Sequence, residues 1–265
     1  MTDPVLLNVE SNIATILMNR PEQGNAIDLA MARALLRAAI ACDQDETVRC
    51  VVLTGAGKLF CAGGDLESFV QADTHIPGFL SELAGTLHLA ISRLMRMSKP
   101  LVVLVNGPAA GAGMSLALMG DVVLAQRSAT ITPAYGALGL SPDGGLTWLL
   151  PRLVGMRRAQ EILLLNTRLN AQQSFELGLV TRLVDDDELQ SEGQALAKSL
   201  ATMNVQATGN VRQLLLQSQQ TALETQLECE ARSLSSLSAM PFVQEKVAAF
   251  VQQRSTKDKQ EQRHG

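Results

Sequence analysis

Short apolar-rich runs over residues 5–10 and 13–18, separated by Ser11-Asn12, predict two short strands joined by a hairpin-type turn. The segment Asn19-Arg20-Pro21-Glu22-Gln23-Gly24-Asn25 has the composition of a loop. Asp28 then stands where it can cap a helix running through Ala38, with apolar residues at helical spacing. The unbroken apolar run at 50–53 predicts a buried strand ending at Gly55-Ala56-Gly57. Residues 71–85 mix polarities around Pro77-Gly78 and are expected to be the least ordered part of the first half. A helical pattern resumes at 87–97.

The most informative stretch is 101–145. Val102 to Val105 is a β-branched and apolar run that stops at Asn106-Gly107-Pro108, a buried strand entering a turn. Ala-Ala-Gly-Ala-Gly follows, then an apolar helical run from Met114 to Met119. Residues 101–120 carry no charge and are long enough to span a bilayer, but Asn106, Gly107 and Pro108 interrupt them, so a buried core is expected instead. Beyond Gly145, helices are predicted at 146–150 and 157–165. A short helix at 170–178 closes on a glycine, and a strand follows at 180–184. The acidic run Asp185-Asp186-Asp187-Glu188 is a favourable helix start and opens a long helical region to Gln253, broken at Pro241. The polar tail from residue 254 is expected to fray. Strands and helices alternate early and helices dominate late, which predicts an α/β core over 1–198 and a helical C-terminal region over 199–265.

Composition removes several classes of function. The 265 residues are 46% hydrophobic, enough for a sizeable core, and the net charge of −4 argues against a nucleic-acid binder. One Trp and one Tyr give no base-stacking platform. Cys42, Cys50, Cys61 and Cys229 have no metal-ligand spacing, so no metal site is expected. Scattered cysteines and no apolar leader run predict a cytoplasmic protein without a membrane segment.

Two glycine-rich turns carry the candidate chemistry. Phe60-Cys61-Ala62-Gly63-Gly64-Asp65-Leu66 and Ala109-Ala110-Gly111-Ala112-Gly113 each follow a predicted strand and precede a predicted helix. If adjacent parallel strands carry them, one N–H from Gly64 and one from Ala112 can point at a single oxygen on which negative charge develops. Each turn alone is equally an ordinary strand-to-helix connection, and neither has the form of a phosphate loop. Cys61 reads as a packed turn residue rather than a nucleophile. Asp65 suits the first turn of a helix without any further role.

The segments NRPEQGNAID, FCAGGDL, VNGPAAGAGMSLALMGDVVLA, LGLSPDGGLTWLLPRLVG and ELGLVTRLV, in that order, resemble the crotonase, or enoyl-CoA hydratase/isomerase, superfamily. The resemblance covers nearly the whole chain. It implies a spiral of ββα units, a C-terminal helical region used in assembly as a homotrimer or dimer of trimers, and acyl-CoA thioester substrates with no further cofactor. It also implies an oxyanion hole from the N–H groups of Gly64 and Ala112. Ala112 replaces the usual glycine, which leaves the N–H available provided φ is negative. By the same resemblance Asn25, Ala26, Ala62, Gly63, Asp65 and Leu66 hold the CoA arm, and Tyr135 and Leu138 shape the acyl pocket.

The family hosts many reactions on one oxyanion hole. Its hydratases carry two glutamates whose positions match Ser115 and Tyr135 here, so both carboxylates are missing. Asp143 remains, in Ser-Pro-Asp-Gly-Gly. It is either a turn residue after Pro142 or the single carboxylate that the family's epoxyphenylacetyl-CoA isomerases and some enoyl-CoA isomerases use to move a proton. The expectation is therefore an acyl-CoA isomerase with Asp143 as its base. The alternatives are a hydratase, an aryl-CoA dehalogenase-like enzyme with Asp143 as nucleophile and His75 or His88 as helper, and a non-catalytic acyl-CoA binder. If Asp143 is not the base, His88 or Glu67 is the next candidate.

Overall fold

The computed structural model describes residues 3–261. The chain forms two compact units that meet between Val205 and Gln206. That junction lies beyond the expected boundary at 198, because the helix containing residue 198 runs on to Ala201 and packs on the core.

The first unit opens with β1 (Val5–Glu10) and β2 (Ile13–Met18), antiparallel and joined by Ser11 and Asn12, both at positive φ as a tight hairpin requires. A single 3₁₀ turn, Pro21–Gln23, sits in the following loop. Helix α1 (Leu29–Gln44) is capped by Asp28, whose side chain accepts from the Met31 N–H at 2.7 Å. It runs past Ala38 because Ala39 and Cys42 continue its buried stripe. Strand β3 (Cys50–Gly55) leads through the first glycine turn to α2 (Leu66–Gln71) and α3 (Ile76–Arg96).

Residues 76–85, expected to be poorly ordered, are therefore helix. Pro77 occupies the first turn, where its missing N–H costs nothing, and Leu83, Leu87, Ala90, Ile91 and Leu94 form the buried stripe. Strand β4 (Leu101–Val105) is wholly buried and continues through β5 (Ala109–Ala110) into α4 (Ala112–Leu118). Then come β6 (Val122–Gln126), β7 (Thr130–Thr132), α5 (Leu146–Val154), α6 (Met156–Leu164), β8 (Leu169–Asn170), α7 (Ala171–Glu176), β9 (Arg182–Val184) and α8 (Leu189–Ala201). The uncharged stretch 101–120 is thus β4, a turn, the short β5 and a short helix. No helix among the described residues is long and apolar enough to cross a membrane.

The main sheet has the order β1-β2-β3-β4-β6-β9, with every pairing after the first parallel. The small sheet, β5-β7-β8, is prolonged by parallel bridges Cys61–Ala109 and Ile27–Gly64. Successive turns of chain therefore place a long strand in the main sheet, a short strand or bridge in the second layer, and then a helix. This is the α/β spiral of ββα units that the sequence implied. The side chains of β3 and β4 are all buried, and each such apolar side chain contributes roughly 1.5–3 kcal/mol.

Where β3 and β4 end, buried asparagines take over from the sheet. Asn25 Nδ2 donates to the carbonyls of Ala56, Leu59 and Phe60, while its Oδ1 accepts from the Arg20 N–H. Asn106 Oδ1 accepts from Gly55 N–H, and its Nδ2 donates to the Gly57 carbonyl.

The second unit contains the greater part of α9 (Val205–Ser218), with α10 (Leu223–Ser238) and α11 (Pro241–Glu261). The long helical region after residue 188 is thus four helices, and Pro241 begins the last of them. Residues 254–261 of the expected frayed tail are helical, since no Pro or Gly stops α11 there. The rest of that tail lies outside the described residues.

Asn25 is fully buried and sits at φ 55°, so Asn25→Ala removes its hydrogen bonds and puts alanine in a left-handed conformation. A loss of about 2–4 kcal/mol in urea unfolding is expected.

Candidate active site

Strands β3 and β4 are parallel neighbours in register, Leu53 opposite Val103, so the turns that follow them emerge at the same edge. There the turns press together. The Ala110 N–H donates to the Cys61 carbonyl at 2.9 Å, and a Cβ on Gly113 would lie 2.2 Å from that same oxygen. A Cβ on Gly63, at φ 97°, would meet the Ala110 carbonyl at 2.8 Å. Glycine is required at both places because backbone packs on backbone. The first turn is anchored on its other side by Ile27, whose N–H donates to the Gly63 carbonyl and whose carbonyl accepts from the Asp65 N–H.

This leaves the Gly64 N–H between two engaged neighbours, with no protein acceptor of its own among the described residues. The Ala112 N–H, first in α4, has none either. Ala112 is helical and is not among the residues at positive φ, so the condition set by its methyl group is met. Both residues line one cavity of about 440 Å³. Its wall is apolar, with Leu66 and Phe69 of α2 and Leu80, Leu83, Ala84 and Leu87 of α3 on one side and Leu138 and Leu140 on the other.

Asp143 is the one carboxylate lining this cavity among the described residues. Its backbone is held by Ser115, whose Oγ donates to the Asp143 carbonyl at 3.0 Å. Its Oδ1 accepts from the Tyr135 hydroxyl at 2.6 Å, and its Oδ2 lies 3.6 Å from His88 Nε2. His88 Nε2 in turn accepts from the Gly144 N–H at 3.0 Å. Burial first, and then the charge of Asp143, push the Tyr135 phenol above its ordinary range, so it remains a proton donor to the carboxylate. Gly144, at φ 61°, fits directly over Ser115; a Cβ there would stand 2.7 Å from the Ser115 Cβ. The loop thus fills the space beside position 115, and Ser115 itself is buried behind it.

The structure brings together Gly64, Ala112, Tyr135, Leu138 and Asp143 as cavity-lining residues, with Ala62, Gly63 and Leu66 along the first turn. Asn25, Ala26 and Asp65, which the resemblance places at the CoA arm, are not among the residues lining this cavity. Asn25 is spent on backbone carbonyls, and the Ala26 carbonyl accepts from Arg20 at 2.7 Å. Asp65 caps α2 through the N–H groups of Glu67 and Ser68 and pairs with Arg20 at 2.9 Å. Their polar groups build the turn from behind and are not among those lining the cavity. Ser115 likewise supports Asp143 rather than lining the cavity.

Cys61 is fully buried and its thiol is pushed up to about 12 by desolvation, which fits the packed residue expected. Among the described residues no group of three or more His, Cys, Asp or Glu could hold a metal ion. Sequence pattern gives the helix at Leu87 but not the part of the α3 wall at Leu80, Leu83 and Ala84, because Pro77-Gly78 reads locally as a break. It could not choose His88 over His75; no local signal joins His88 to a residue so far along the chain.

The model of the enoyl-CoA hydratase/isomerase family matches residues 8–261, and the chain belongs to that family. Among curated relatives it is 38% identical to the 1,2-epoxyphenylacetyl-CoA isomerase of Escherichia coli, over 96% of this chain and 98% of that one. It is 32% identical to 4-chlorobenzoyl coenzyme A dehalogenase-2 of an Arthrobacter species, over 90% of this chain and 87% of that one. Among solved structures an enoyl-CoA hydratase from Polaromonas superposes with a TM-score of 0.90 at 31% identity, covering 94% of this chain and 97% of that one.

Tyr135 is the single tyrosine of the chain, so its ionisation can be followed by tyrosinate absorbance. The folded phenol holds its proton more tightly than the unfolded one. Its contribution to stability is therefore complete below the ordinary value of 10.0 and is lost as pH rises beyond it. Tyrosinate is expected to appear only together with alkaline unfolding followed by circular dichroism, with no separate transition near the ordinary phenol value.

Proposed function

We propose that this protein is an acyl-CoA isomerase that shifts a double bond, or rearranges a ring-derived acyl group, through an enolate. The observation that carries the reading is the lone carboxylate of Asp143 in the cavity lined by Gly64 and Ala112, with Ser and Tyr where a hydratase needs its two carboxylates. Moving one proton from carbon to carbon needs a single base that returns what it takes; activating and delivering water is served by two.

In this reading the thioester carbonyl accepts from the Gly64 and Ala112 N–H groups. These stabilise the enolate oxygen as charge develops, each such donor being worth roughly 10²–10³ in rate. Tyr135 occupies Asp143 Oδ1, so Oδ2 takes the proton from the α- or γ-carbon and redelivers it. The CoA arm runs over Ala62, Gly63 and Leu66, and the apolar α3 wall receives a hydrocarbon acyl group. The curated isomerase relative supports the same assignment.

A dehalogenase-type second reading is favoured by His88 beside Asp143 and by the dehalogenase relative. It requires Asp143 to attack an aryl carbon with loss of halide and water to cleave the ester formed. The Tyr135 hydrogen bond, which draws charge off the carboxylate, weighs against it. We also infer a homotrimer or dimer of trimers. In the second unit α11 leaves Val247, Phe250 and Val251 exposed, and this apolar face supports the inference.

Asp143→Asn is expected to bind acyl-CoA within a few-fold of the parent and to lose roughly 10²–10⁴ in turnover. Ser115→Ala, which removes a support of the Asp143 backbone and no carboxylate, is expected to lose far less. Both are read by incubating a panel of enoyl-CoA esters and a halobenzoyl-CoA with enzyme in D₂O and following bond position, water addition and halide release. Hydration without isomer, halide release, or near-full activity of Asp143→Asn would each overturn the assignment.

Sedimentation at micromolar concentration is expected to show a trimer or a hexamer. A monodisperse monomer would overturn that inference.

A further inference from the structure

The pairing of Asp143 with His88 has a consequence for where the abstracted proton goes. Asp143 Oδ1 is taken by Tyr135, so a proton removed from substrate resides on Oδ2, the oxygen that faces His88 Nε2 at 3.6 Å. Nε2 accepts from the Gly144 N–H, so it carries a lone pair and the neutral ring holds its proton on Nδ1. The imidazole is not among the groups lining the cavity, yet its side chain is 48% exposed. It therefore bridges a base that a bound acyl group would cover and bulk water.

We propose that His88 is the conduit through which Asp143 exchanges the substrate-derived proton with solvent, setting how often the proton returned to the product is the one removed. The inference rests on the isomerase reading. In the step, the substrate C–H bond breaks and the Asp143 Oδ2–H bond forms. That proton passes to His88 Nε2, leaving a carboxylate and an imidazolium; with the ring swung back toward solvent its Nε2 proton exchanges with water, and a solvent proton then returns through Nε2 to Asp143 Oδ2. Charge and protons balance without any oxidant or co-reactant. The present separation exceeds a hydrogen bond, so transfer requires the ring to swing toward Oδ2, which its half-exposed position allows. His88 acts only through Asp143 and is a positioning residue rather than a catalytic one.

The test uses the full-length enzyme and β,γ-hexenoyl-CoA in D₂O, with mass spectrometry of the α,β-product at low conversion. The parent is expected to incorporate solvent deuterium in most turnovers. His88→Gln and His88→Ala are expected to isomerise within a few-fold of the parent rate while solvent deuterium in the product falls at least about five-fold. Added imidazole should restore deuterium incorporation in His88→Ala, which a purely structural loss would not allow.

Active variants with unchanged deuterium content would overturn the proposal. They would mean that Asp143, itself 31% exposed, exchanges directly with water. A loss of isomerisation in both variants that imidazole does not reverse would also overturn it, by making His88 part of the scaffold. A parent enzyme that neither shifts the double bond nor exchanges α-hydrogens would overturn the isomerase reading and this inference together. That outcome is distinct because it appears before any substitution is made.

Discussion

The contact on which the rest of the site depends is the one between two strand-to-helix turns. The Cys61 carbonyl accepts from the Ala110 N–H and lies against Gly113, while the Ala110 carbonyl lies against Gly63. Neither approach leaves room for a Cβ. Because the turns are locked backbone to backbone, the N–H groups of Gly64 and Ala112 are fixed at one cavity without relying on a mobile side chain. Preorganised donors of this kind need no rearrangement as charge develops. The supports lie behind the turns. Asn25 and Asn106 join the strand ends, and Arg20 bridges Asp28 and Asp65 at 3.1 and 2.9 Å. Residues that face away from the cavity are thus as necessary to its shape as those that line it.

The surroundings of Asp143 follow a different logic. A carboxylate on a loop between a 3₁₀ turn and a helix would be free to wander. Here it is restrained by two neighbours from different parts of the chain, Ser115 on its carbonyl and Tyr135 on Oδ1, while His88 stands 3.6 Å from Oδ2, beyond hydrogen-bond reach. The short Tyr135 hydrogen bond makes the two carboxylate oxygens inequivalent, and Gly144 allows the loop to sit directly over Ser115. Ser115 and Tyr135 thus direct their hydrogen bonds to the backbone and the side chain of the same acid.

Most of the secondary structure was legible from local pattern. Hairpin chemistry at Ser11-Asn12, the Asp28 cap, the apolar runs of β3 and β4 and the Gly178 stop all act within a few residues of themselves, and all were read correctly. The failure at 76–85 is equally physical. Pro77 and Gly78 signal a break when judged alone, but Pro in a first turn is tolerated, and burial of the stripe from Leu83 to Leu94 outweighs the weak intrinsic preference of the segment.

What the sequence by itself determined was the family, the order of strands and helices and the two glycine turns, with Asp143 singled out by its place after Pro142. Each is written in residue type and short-range spacing. Only the tertiary structure decided which polar groups face the cavity and which are consumed in building it. The hydrogen bonds of Asn25 to the loop and of Asp65 to α2 are invisible in the local pattern. His88 reads as one polar residue on a helix until α3 brings it to Asp143. Contacts between residues tens of positions apart are set by how the spiral stacks its layers, and no local pattern of apolar and polar residues records that stacking.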